Sequence, residues 1–156
     1  MLEIGKKVKD FTLLGIDEKG REKKFSLSDF KGNKVLLYFY PADDTPGCTK
    51  QACDFRDNLN RLLSLDGIKV VGVSPDDLDS HIKFKEKHVL NFPLLSDKDL
   101  KIMKSFDAYG EKNLYGKIVQ GVKRSTFLID ENGILLKAWK NVRATGHVEK
   151  LLRELS

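Results

Sequence analysis

With 156 residues, 40 % of them hydrophobic, the chain has material for one compact domain over residues 1–156 and not for two. No apolar run approaches the length of a membrane span, residues 1–10 (MLEIGKKVKD) lack the apolar centre of a signal peptide, and the two cysteines point to reactive or metal-binding thiols rather than a disulfide framework, so a cytoplasmic protein is expected. The net charge of +5 comes from lysines interleaved with acids, as in 85–87 and 97–101, with no basic stripe threaded by aromatics; the surface reads as solvated, and neither nucleic acid nor membrane is an expected partner.

Phe11 to Leu14 and Lys24 to Leu27 read as short strands around a turn at Asp17 to Gly20, and residues 28–32 as a single helical turn. Lys34 to Tyr40 (KVLLYFY) is an almost unbroken apolar run, the pattern of a strand buried on both faces, and it stops at Pro41. A helix is expected over 46–64, then a second buried strand at Ile68 to Val73, then a helix opened by Pro75, Asp76 and Asp77 and running to about His88. Strand, helix and strand form a βαβ unit. Pro93 to Leu95 reads as a short strand and Asp97 to Phe106 as a third helix, whereas residues 107–123, with Gly110, Tyr115, Gly116 and Gly121, read as an ordered loop. Arg124 to Asp130 and Ile134 to Trp139 flank Asn132-Gly133, a strong hairpin signal, and Gly146 to Leu155 is an amphipathic helix with Val148, Leu151, Leu152 and Leu155 on one side. This order matches an α/β, thioredoxin-like fold, a central mixed sheet flanked by helices.

The stretch from Tyr38 to Asp57 (YFYPADDTPGCTKQACDFRD) holds both cysteines. Thr45-Pro46 reads as an N-cap with proline at the first helical position, which puts Cys48 in the first helical turn. The unpaired backbone N–H groups and the positive end of the macrodipole favour an anion there, so the thiolate is stabilised and Cys48 becomes a nucleophile. Cys48 shares a stripe with Ala52, Phe55, Leu59 and Leu62, while Cys53 lies roughly 140° around the helix and about 8 to 9 Å away between Cα atoms. A disulfide needs Cα atoms within about 7 Å, so the pair can be bridged only if the first turns unwind. Such a pair suits a redox cycle with two conformations better than it suits a staple.

Pro41-x-x-x-Thr45-x-x-Cys48 resembles the active-site motif of the peroxiredoxins. The longer string from Asp43 to Thr49, followed by Cys53 and Asp54-Phe55-Arg56-Asp57, resembles the bacterioferritin comigratory protein or peroxiredoxin Q subfamily, and the similarity runs from Asp10-Phe11-Thr12-Leu13 through 124–130 to Gly146-His147-Val148-Glu149. The resemblance implies a cofactor-free thiol peroxidase that reduces hydrogen peroxide and small organic hydroperoxides, is itself reduced by a thioredoxin- or glutaredoxin-like partner, and is a monomer or weak dimer. Cys48 matches the peroxidatic cysteine that becomes a sulfenic acid, and Cys53 the resolving cysteine of members that carry one in the same helix. Thr45 matches the threonine that contacts peroxide and thiolate, Pro41 the proline that shields the pocket, and Arg124 the distant arginine that neutralises the thiolate; Gly47, Thr45 and Cys48 make up the implied substrate-binding set. Gln51 stands where members often have Glu orienting that arginine, and Lys9 where a proline is common.

Plainer roles compete for several of these residues. Cys53 could simply pack, Arg124 could be a surface salt-bridge partner, and Trp139 is read as sheet packing. No metal is expected, since four residues between the cysteines is at the edge of zinc spacing and His81, His88 and His147 lie far along the chain; each histidine reads as a surface or capping residue. A general thiol–disulfide oxidoreductase is the competing enzyme, weakened by the missing C-x-x-C, and a non-enzymatic redox sensor the competing non-enzyme.

Overall fold

The computed structural model describes residues 2–156. At its centre lies β3 (Val35–Phe39), all five residues of which are buried. It pairs in parallel with β4 (Lys69–Ser74) and antiparallel with β8 (Ser125–Ile129). Outward from β4 come β5 (Leu94–Ser96), β1 (Thr12–Ile16) and β2 (Glu22–Ser26), and outward from β8 comes β9 (Leu135–Trp139), giving a seven-stranded mixed sheet of order β2-β1-β5-β4-β3-β8-β9. A parallel pair needs a crossover, and α1 (Pro46–Asp66) supplies it between β3 and β4.

Side chains alternate across β3 and so divide the core in two. Leu36, Tyr38 and Tyr40 face a cluster with Ala52, Phe55 and Leu62 of α1, Phe84 of α2 (Leu78–His88), and Val148 and Leu151 of α4 (His147–Leu155). Val35, Leu37 and Phe39 face the other layer, with Met103 of α3 (Lys101–Ser105), Phe106 and Phe127. Burying one such aliphatic or aromatic side chain is worth roughly 1.5–3 kcal/mol, so the βαβ unit is anchored from both sides. Trp139 packs on the sheet as expected and donates from Nε1 to Glu154 Oε2 at 3.0 Å.

Helix α1 ends where Gly67 takes the left-handed conformation (φ 64°) and its N–H bonds to Leu63 O. The third helix is shorter than its composition suggests. Leu100 has φ 63°, which breaks the helix, and the buried Asp97 carboxylate caps what remains by accepting from Met103 N at 2.8 Å. Residues 107–123 are not a loop but a two-stranded hairpin, β6 (Tyr109–Leu114) and β7 (Lys117–Val122), turning at Tyr115 and Gly116 with φ 52° and 82°.

Candidate active site

Strand β3 delivers the chain to Tyr40, and the loop through Pro41, which is half-buried, leads into α1. Thr45 occupies the N-cap position with extended backbone (φ −88°, ψ 155°) and Pro46 the first helical one. The threonine side chain does not cap the helix, a correction to the sequence reading; its hydroxyl turns back to donate to Ala42 O at 2.9 Å. That bond fixes the hydroxyl hydrogen inward and leaves the oxygen lone pairs free to accept.

Cys48, 2 % exposed, is in the first turn of α1, on the stripe that includes Ala52 and Phe55. Arg124, the residue before β8, brings Nη2 to 3.4 Å from Cys48 Sγ and donates from Nη1 to Gln51 Oε1 at 2.6 Å. The guanidinium is thus tied to α1 at two points one turn apart. Gly47 makes room for it, because a Cβ there would lie 3.3 Å from Nη2. Gln51 is fully buried, and its Nε2 has no partner among the described residues. An amide in this place leaves the arginine charge whole, where a carboxylate would have neutralised much of it.

Cys53 is partly exposed on another side of the same helix, both thiols are free, and α1 is unbroken through both positions. The sequence reading placed no buried polar network here, yet Tyr40, Asp43 and His81 form one at the loop that leads into α1. His81 is 0 % exposed and His147 3 %, so neither is a surface histidine: His81 meets Asp43 and Leu95, and His147 Nε2 lies 2.8 Å from Thr126 Oγ1. Burial, then the charges of Lys150 and Arg124, push the His147 pKa down to about 4, so its ring is neutral at pH 7. Tyr40 donates to Asp43 Oδ1 at 2.6 Å; burial first and that carboxylate second keep its hydroxyl protonated well above the usual phenol range. The signal for this network was the Tyr40, Asp43 and His81 side chains themselves, whose partners lie in other elements.

A cleft of about 820 Å³ between Phe11, Leu14, Leu78 and Ile102 includes none of the cysteine-site residues. Among the described residues no group of three or more His, Cys, Asp or Glu is placed to hold a metal ion, and no helix is long and apolar enough to cross a membrane.

The profile of the AhpC/TSA family matches residues 4–138. A putative peroxiredoxin of Mycobacterium tuberculosis is 52 % identical over 155 residues, 99 % of this chain and 96 % of that protein. Peroxiredoxin Bcp of Bacillus subtilis is 47 % identical over 154 residues, 99 % of this chain and 95 % of its own. Among solved structures, a mutant of Xylella fastidiosa peroxiredoxin Q superposes with a TM-score of 0.88 at 34 % identity, covering 99 % and 96 % of the two chains. The Xanthomonas campestris bacterioferritin comigratory protein, described for its alkyl peroxide reduction activity, gives 0.81 at 38 % identity, covering 92 % and 89 %.

Proposed function

The chain belongs to the AhpC/TSA family, within it to the peroxiredoxins of the Bcp or peroxiredoxin Q type, and from that membership we propose how its residues share the reaction. The enzyme is a thiol peroxidase on a thioredoxin-like scaffold. The observation that supports Cys48 as its nucleophile is the guanidinium of Arg124 at 3.4 Å from a sulfur in the first turn of a helix. Two sources of positive potential, one a full charge and one a helix start, converge on that atom and stabilise it as a thiolate.

The thiolate attacks one oxygen of the peroxide and the O–O bond breaks. Cys48 becomes a sulfenic acid, and the departing oxygen takes up a proton to leave as water or an alcohol. Arg124 stabilises the charge that moves onto the departing oxygen, and Thr45 Oγ, its hydrogen already committed to Ala42, accepts from the peroxide O–H. Pro41 and Gly47 line the approach. Cys53 then attacks the sulfenic sulfur, water leaves and the Cys48–Cys53 disulfide forms, after which a dithiol of the thioredoxin or glutaredoxin kind reduces it by exchange.

Hydrogen peroxide and small organic hydroperoxides are the substrates we assign, the latter supported by the alkyl peroxide activity of the Xanthomonas campestris relative. A monomer or weak dimer in the cytoplasm completes the reading. Peroxide-dependent NADPH consumption, coupled through a thioredoxin system and run beside an insulin-type disulfide-reduction assay, tests it. Turnover with peroxide and none with the disulfide substrate is expected; the reverse would overturn it.

A further inference from the structure

The loop between β3 and α1 carries two adjacent acids, Asp43 and Asp44, and α2 holds both of them. The Asp43 side chain, 3 % exposed, takes the Tyr40 hydroxyl on Oδ1 at 2.6 Å, and on Oδ2 the Ser80 hydroxyl at 2.8 Å and His81 Nδ1 at 2.7 Å. His81 Nε2 lies 2.9 Å from Leu95 O in β5. A carbonyl only accepts, so Nε2 carries a hydrogen and the imidazole is fixed at both ends. The Asp43 N–H donates to Asp76 Oδ2 at 2.8 Å, and Ser74 donates to the same oxygen at 2.7 Å. Asp44, held at φ 56°, meets Lys87 Nζ at 2.8 Å and His88 Nε2 at 3.0 Å on the last turn of α2.

None of these side chains bonds to Cys48 or Arg124, but the residue after Asp44 is the N-cap of α1. We propose that α2 is a brace on the start of the peroxidatic helix, and that His81–Asp43 and the Lys87 and His88 contacts to Asp44 set how readily residues 46–54 unwind to bring Cys48 to Cys53. This deepens the reading of those cysteines as peroxidatic and resolving, and rests on it. Unwinding from residue 46 requires the preceding loop to swing. Every bond from Asp43 and Asp44 to α2 opposes that swing, and charge-assisted bonds in a buried setting oppose it most.

The consequence is a partition. In the open form, the Cys48 sulfenic acid and the Cys53 thiol condense to the disulfide and water. In the folded form, the sulfenic acid meets a second peroxide and goes to the sulfinic acid, releasing water or alcohol. A tight brace keeps Cys48 in the folded form and favours the second fate. His81, Ser80, Lys87 and His88 are positioning residues, acting through Asp43 and Asp44 on α1.

Amide exchange in the reduced enzyme reads the brace without any chemistry at sulfur. A Lys87→Ala/His88→Ala variant, which removes the 62 % exposed Lys87 and the partly buried His88 ring that packs edge-on against Phe84, should speed exchange across 46–54 by about threefold, the loss of one exposed ion pair and one side-chain hydrogen bond to Asp44. His81→Asn should speed it by about tenfold, the loss of a buried bond. Exchange in β3, β4 and β8 should stay as in the parent. With peroxide, both variants should form the internal disulfide faster and accumulate less sulfinic acid. Unchanged exchange at 46–54 in both variants, or acceleration spread evenly over the sheet, overturns the brace. Locally faster exchange with no internal disulfide even in the parent supports the brace and removes Cys53 as its beneficiary.

Discussion

Arg124 Nη2 reaches Cys48 Sγ at 3.4 Å across 76 positions of sequence. The contact is possible because β3 and β8 are neighbours, with Phe39 opposite Ser125, so the residue before β8 emerges at the same sheet end as the loop into α1. If this relationship carries the chemistry, Arg124→Ala should slow oxidation of Cys48 by about 10²-fold, the usual effect of losing one charge-stabilising donor. Arg124→Lys should fall between the two, since a point ammonium cannot serve Cys48 and Gln51 together. Stopped-flow rates of sulfenic acid formation check this, and rates within twofold of the parent would remove Arg124 from the mechanism.

Cys48 is 2 % exposed, and serine replaces it atom for atom, with oxygen in place of sulfur. Cys48→Ser should therefore keep the parent's thermal transition within a few degrees while peroxide turnover disappears. A folded Cys48→Ser protein that still consumes NADPH in a peroxide-dependent manner would end the assignment of the nucleophile.

What the sequence made legible was local. Thr45-Pro46 marks the start of α1, which runs two residues past the expected 64 to Asp66, and the apolar run of β3 announces a strand buried on both faces. Arg124 was reached only through resemblance, because nothing near it in the chain reports a partner 76 positions away. The hairpin at 109–122 escaped notice because it has almost no buried face to impose alternation, and its turn pair is Tyr115-Gly116 rather than Asn-Gly. His81 and His147 were misread for a related reason. Whether a histidine is buried depends on what meets it, and Asp43 and Thr126 come from other elements.

His147 makes stability depend on acid. Its folded pKa of about 4 lies below the ordinary value of 6.5, so above pH 6.5 the ring is neutral in both states and its contribution is fully present. As pH falls from 6.5 towards 4 the unfolded chain takes up a proton that the folded chain refuses, and stability is lost by on the order of 2 kcal/mol. Urea midpoints of the parent and of His147→Gln, measured from pH 7.5 to 4, should therefore converge towards the acid end. A difference between the two that stays constant with pH would show that the ring is not held neutral by the fold.

The last expectation concerns α1 itself. In the structure the helix runs unbroken through Cys48 and Cys53 with both thiols free, which fixes them about 8 to 9 Å apart between Cα atoms by helix geometry. Bonding distance requires the Cα atoms to approach by roughly 2 Å or more, and no rotamer change within an intact helix supplies that. Unwinding a turn or so sacrifices a few backbone hydrogen bonds of about 1 kcal/mol each, in a segment that Gly47 already weakens. Oxidation should therefore be feasible and structurally visible. Peroxide-treated protein should yield a proteolytic fragment with an internal Cys48–Cys53 disulfide, and amide exchange across 46–54 should quicken relative to the reduced form. If mass spectrometry finds only dimers linked through Cys48, or a persistent sulfenic acid beside a reduced Cys53, the resolving thiol is not Cys53 and the reductant must attack Cys48 directly.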